Sequence, residues 1–103
     1  MSSPHKGAPP AVTVLIATYN YGRTLPRALE SVFAQTLPSE QVEVIVVDDG
    51  STDETRPIAE GYANRLRYLY QDHQGLPAAC NLGIREARGE YLIRAVPARS
   101  EAV

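Results

Sequence analysis

Asp48 and Asp49 stand side by side at the end of the apolar run Val42 to Val47, and Gly50 and Ser51 follow them. A second apolar run, Val12 to Ala17, ends in Thr18, Tyr19 and Asn20. A carboxylate placed there can accept a hydrogen bond from a nucleobase N–H or from ribose hydroxyls, and a tyrosine ring can offer its face to a base. The two clusters make a nucleoside pocket if the chain brings both run ends to one place.

The elements that would do so are legible in the spacing of apolar residues. Val12 to Thr18 is β-branched and nearly continuously apolar, the pattern of a parallel strand covered on both faces, and Val42 to Val47 repeats it. Between them Leu25, Ala28, Leu29, Val32 and Phe33 draw one helical stripe; Pro26 falls in the first turn and Leu37-Pro38 closes the helix. Ser51 and Glu54 have capping-box spacing, but Pro57 would delete a hydrogen bond inside a helix begun at Ser51. That conflict predicts a late start near Thr55 or a kink. Leu66 to Tyr70 is a third strand, Gln71 to Gly75 a loop, Pro77 to Arg88 a third helix and Glu90 to Arg94 a fourth strand. The order β-α-β-α-β-α-β predicts a three-layer α/β/α sandwich with a mostly parallel sheet and Val14, Ile16, Leu29, Val32, Val44 and Val46 in its core. Ligands of such sheets sit beyond the C-terminal strand ends, where both clusters fall if the first two strands are neighbours.

Composition narrows the classes. The chain has 103 residues, 10 Lys and Arg against 12 Asp and Glu, and Lys6 as its single lysine, so binding nucleic acid by phosphate neutralisation is disfavoured. One cysteine, Cys80, excludes a disulfide framework within the chain and fits a reducing, cytoplasmic setting. No apolar stretch approaches the roughly 20 residues of a spanning helix. Residues 1–11 read as a flexible Pro-rich lead-in, 12–94 as the folded part, and 95–103 as an atypical tail; from Arg94 onward Pro97 and two arginines, Arg94 and Arg99, intrude on a strand end. Neither G-x-x-x-x-G-K-[ST] nor G-x-G-x-x-G is present, which excludes the phosphate loop and the dinucleotide fingerprint. An acidic pair at a strand end also suits phospho-acceptor receiver domains, but those need a lysine late in the chain.

Five segments in order carry a more specific signal: Val14-Leu15-Ile16-Ala17-Thr18-Tyr19-Asn20, Ser31 to Thr36, Val46 to Asp53, Asn81-Leu82-Gly83, and Ala87-Arg88-Gly89-Glu90-Tyr91. In these the chain resembles the N-terminal, nucleotide-binding half of a family 2 glycosyltransferase of the GT-A fold, over Val12 to Ile93. The resemblance implies binding of a nucleoside diphosphate sugar, UDP sugars first among them, and in the complete form transfer of the sugar to an acceptor. It implies further that Tyr19 stacks on the base, that Asp49 accepts from the base edge, that the main chain at Ala17 and Thr18 lines the same pocket, and that Asp48 supports it.

Two departures from the family pattern are visible. Cys80 stands where the family commonly has arginine before Asn-x-Gly. Val96, Pro97 and Ala98 stand where the resemblance implies an Asp-x-Asp that holds Mg2+ or Mn2+ against the diphosphate. The expectation is therefore that this chain binds no metal itself and contains no catalytic residue, the general base lying further on in the family. The rival readings are a non-catalytic nucleotide-binding module and a truncated or frame-shifted product. Taken singly, Ser51 to Glu54 is a helix cap, Cys80 a small buried hydrophobe, and His73 a solvated loop residue.

Overall fold

A computed structural model describes residues 9–34 and 39–95. The expected closure of the first helix at Leu37-Pro38, the tail from Val96 and most of the lead-in lie outside the described residues. The element order is β1 (Val12–Thr18), α1 (Leu25–Phe33), a short 3-10 turn (Ser39–Gln41), β2 (Val42–Asp48), α2 (Thr55–Glu60), β3 (Arg67–Tyr70), α3 (Leu76–Glu86) and β4 (Tyr91–Ala95). All strand pairs are parallel, in the order β3-β2-β1-β4. The chain steps outward from β1 through β2 to β3, then returns to the far side of β1. A crossover that keeps one hand must change sheet face when its direction reverses. Accordingly α1 and α2 cover one face and α3 the other.

The pleat sorts the side chains between these layers. Ile16, Val44 and Val46 pack with Leu25 and Leu29 of α1 and Ala59 of α2, while Leu15, Ile45 and Val47 pack with Ala79 of α3. Of the expected core, Val14, Ile16, Leu29, Val44 and Val46 are buried and Val32 is partly buried against them. On α3, Gly83 faces Leu15 so closely that an added Cβ would lie 2.2 Å from Leu15 Cδ1, and this close approach seats the helix on the sheet.

Three local expectations shift. Pro10 is buried, its carbonyl accepts from the Glu90 N–H, and Ala11 bonds both Gln41 and Tyr91, so the sheet takes hold of the chain inside the expected lead-in. The second helix takes the expected late start at Thr55, which puts Pro57 in the first turn, where its missing N–H costs nothing. The cap is not the Ser51/Glu54 box: Asp53 Oδ1 accepts from the Thr55 N–H at 2.9 Å and from the Thr55 hydroxyl at 2.6 Å. At the other end β4, at one sheet edge, takes in Ala95, a residue expected in the tail; along it Leu92 packs toward α3 while Tyr91 and Ile93 point the other way and are exposed.

Candidate functional site

Parallel strands put all their C-terminal ends on one edge, and the β1–β2 register sets Thr18 opposite Asp48. The two predicted clusters are therefore neighbours. Their loops are laced together by Asn20, whose φ of 55° lies in the left-handed region that Asn tolerates. The Asn20 N–H donates to Ser51 Oγ at 2.8 Å, and Asn20 Oδ1 accepts from the N–H groups of Thr52 at 2.8 Å and Asp53 at 3.2 Å. Asp53 Oδ2 accepts from the Gly22 N–H at 3.1 Å. Burial pushes the Asp53 carboxyl up, but the Thr55 hydroxyl and N–H, followed by the Gly22 N–H, outweigh it and hold it below the usual carboxylate range.

The five residues expected to line a pocket separate by pleat. Thr18 and Asp48 turn toward the α1/α2 face and are fully buried. Asp48 Oδ1 accepts from the Ser51 N–H at 2.9 Å and Oδ2 from the Tyr68 hydroxyl at 2.6 Å, which makes Asp48 a brace for the turn after β2. Burial, with the Asp48 carboxylate next, pushes the Tyr68 phenol up. Thr18 gives its carbonyl to the Asp49 N–H at 2.9 Å, and among the described residues its hydroxyl is a buried side-chain atom without a partner. Ala17, Tyr19 and Asp49 share the α3 face, with Ala17 packed into the core there.

Asp49 is the centre of that side. Its fully buried carboxylate meets Gln71 Nε2 at 2.8 Å and the Gln74 N–H at 2.8 Å on Oδ1, and the Gly75 N–H at 2.9 Å and His73 Nδ1 at 2.8 Å on Oδ2. Four donors fill the four lone-pair positions of a carboxylate. Burial pushes this carboxyl up, but Gln71, the two backbone donors and His73 together bring it below its ordinary value. His73 Nδ1 also lies 3.1 Å from the Asp49 carbonyl, so it faces two acceptors and carries the proton. The imidazole stacks on Tyr19, ring centroids 4.2 Å apart and planes 25° from parallel.

His73 is thus no free loop residue, and the sequence did hold a signal for it: a loop following β3 must close on the same edge as Asp49. Gly50 fixes the approach, because its φ is 83° and an added Cβ would lie 2.7 Å from the His73 nitrogen. Gly50→Ala is expected to destabilise the fold by about 1–3 kcal/mol, measured by chemical denaturation, and to free the His73 ring from Tyr19.

The implied divalent metal does not fit the donors at hand. Asp48 and Asp49 are each committed to protein donors, and among the described residues no group of three or more His, Cys, Asp or Glu could hold a metal ion. An open groove of about 560 Å3 lined by Pro10, Gln41, Arg88 and Glu90 lies at the opposite, N-terminal strand edge, away from the end where sheets of this kind bind ligands. Among the described residues no helix is long and apolar enough to cross a membrane.

The sequence and the fold have counterparts. The model of the family described as "Glycosyl transferase family 2" matches residues 13–95. EpsH, an inferred glycosyltransferase of Bacillus subtilis (strain 168), is 44% identical over 86 residues, 81% of this chain and 24% of that protein. The structure of residues 1–349 of S. aureus TarS in complex with UDP superposes with a TM-score of 0.80 at 31% identity, covering 84% of this chain and 27% of that one. The mannosyltransferase PcManGT from Pyrobaculum calidifontis, solved with GDP-Man and Mn2+, gives a TM-score of 0.71 at 32% identity over 87% of this chain and 28% of its own. The chain spans about a quarter or less of the length of the curated relatives it matches. With its parallel α/β sheet of GT-A type and the match across its folded part, the chain belongs to glycosyl transferase family 2.

Proposed function

We propose that this chain supplies the nucleotide side of a sugar-transfer site, binding the nucleoside diphosphate of a sugar donor at the C-terminal ends of β1 and β2. The observation that carries the reading is the convergence of Tyr19 and Asp49 on one face of that edge, with an aromatic N–H ring already seated on both. The base stacks on Tyr19 and directs an N–H to Asp49, while Ala17 and the Thr18 main chain form the floor. Asp48 and Asp53 keep the two loops in register. Two neighbours support a nucleotide ligand, since TarS was solved with UDP and PcManGT with GDP-Man. Transfer of the sugar to an acceptor is the reaction this binding serves, and a cytoplasmic setting fits a donor of that kind.

Calorimetry with UDP tests the reading. Weak binding is expected, lost in Tyr19→Ala, because a base–aromatic stack is worth about 1–3 kcal/mol. Adding Mn2+ is expected to leave the affinity nearly unchanged, since Asp48 and Asp49 are committed elsewhere and Val96 and Ala98 have no ligand atoms in their side chains. Strong enhancement by Mn2+ would place a metal site within this chain.

A further inference from the structure

We infer that His73 occupies the nucleobase position of the free chain and competes with the base for it. The inference rests on the proposed placing of the base at Tyr19 and Asp49. The imidazole is a planar heteroaromatic ring that stacks on Tyr19 at 4.2 Å and presents an N–H to Asp49 Oδ2 at 2.8 Å. These are the two contacts required of a base with a ring N–H.

A base cannot make them while His73 does, because the ring covers a face of Tyr19 and fills the fourth lone-pair position of Asp49. The ring is also free to leave. Its side chain is 57% exposed, and the loop that carries it stays tied to Asp49 through Gln71, Gln74 and Gly75 without it. Departure therefore vacates one position on Oδ2 and a Tyr19 face together, with no rearrangement of the main chain. The apparent affinity is lowered by the fraction of time the ring is seated.

The test compares UDP affinity in the whole chain, His73→Ala, His73→Phe and Tyr19→Ala, with the His73 ring resonances of the unsubstituted chain followed by NMR. His73→Ala is expected to bind UDP about three- to tenfold more tightly, the range set by one exposed aromatic pair. His73→Phe, which keeps a ring over Tyr19, is expected to bind less tightly than His73→Ala. Saturating UDP is expected to move the His73 resonances from ring-shifted positions to those of a solvated imidazole. The inference is overturned if UDP binds and Tyr19→Ala abolishes it while His73→Ala leaves the affinity unchanged or weaker, or if His73 remains stacked in the saturated complex. Absence of UDP binding in every form, or binding indifferent to Tyr19→Ala, overturns the base site itself.

Discussion

Replacing Asp49 with alanine is expected to abolish UDP binding and to lower the stability of the chain by about 2–4 kcal/mol. The stability loss follows from the donors that end on this carboxylate. Gln71 Nε2 and the N–H groups of Gln74 and Gly75 would face a small apolar group, and with no acceptor in reach the 71–75 loop would seek water and peel away from Gly50. Asp49→Asn keeps the shape but turns an NH2 toward backbone N–H groups, so it is expected to lose most of the same energy. Denaturant titration measures the stability and calorimetry the binding. An Asp49→Ala chain as stable as the parent would show that the four contacts do not hold the loop. A stable chain that still bound UDP would remove Asp49 from the base site.

The second large effect lies at the other end of the sheet. Glu43, 3% exposed on β2, accepts from the Thr13 hydroxyl at 2.8 Å and the Arg88 N–H at 2.9 Å on Oε1, and from Arg67 Nη1 at 3.1 Å on Oε2. Arg67 reaches on to Glu86 at 2.7 Å, and the Thr13 hydroxyl accepts from the Gly89 N–H at 2.8 Å, so one buried carboxylate ties β1, β2, β3 and the turn before β4. Glu43→Ala leaves a buried hydroxyl and a half-buried guanidinium without their acceptor and is expected to cost about 3 kcal/mol. UDP affinity of the folded fraction should not change, because the site is at the opposite edge.

Acid reads the same group. Burial pushes the Glu43 carboxyl up, but Arg88, Thr13 and Arg67 outweigh burial and bring it below its ordinary value. A carboxyl whose folded value is depressed contributes stability above its unfolded value, near pH 4, and loses it as pH falls through the folded one. Asp49 and Asp53 shift in the same direction. Stability of the parent chain should therefore fall steeply below about pH 4, and Glu43→Gln should show a shallower fall from a lower plateau. A Glu43→Gln chain with the parent's acid profile would mean that Glu43 does not carry this dependence.

What could be read from the sequence was whatever depends on local period. Val12–Thr18 announces itself as a strand with both faces covered, and the α1 stripe and Pro26 fix a helix and its first turn. The conflict between Ser51 and Pro57 is resolved by Asp53, which caps Thr55 and reaches Gly22, a contact 31 residues away that no local spacing contains. Glu43 does not stand out in the sequence because a single acid inside an apolar run does not disturb the period, although a charge on a strand buried on both faces needs a partner. Tyr19 and Asp49 were legible as strand-end residues. Their engagement was not, because the ring on Tyr19 and the donors on Asp49 come from a polar loop whose course depends on the positive φ of Gly50 and Gly75.

The Gln74 and Gly75 amides both end on one carboxylate, and that gives the loop a kinetic character. Neither bond is part of a strand ladder, and releasing the loop breaks both together. Their amide hydrogens should exchange with solvent at a common opening rate, faster than those of β1 and β2 and slower than those of a free turn. The seat beside Tyr19 then has two clocks: a side-chain rotation of His73 that clears it quickly, and a rarer opening of the whole loop that dismantles it. Ligands would enter by the first and be forgotten by the second.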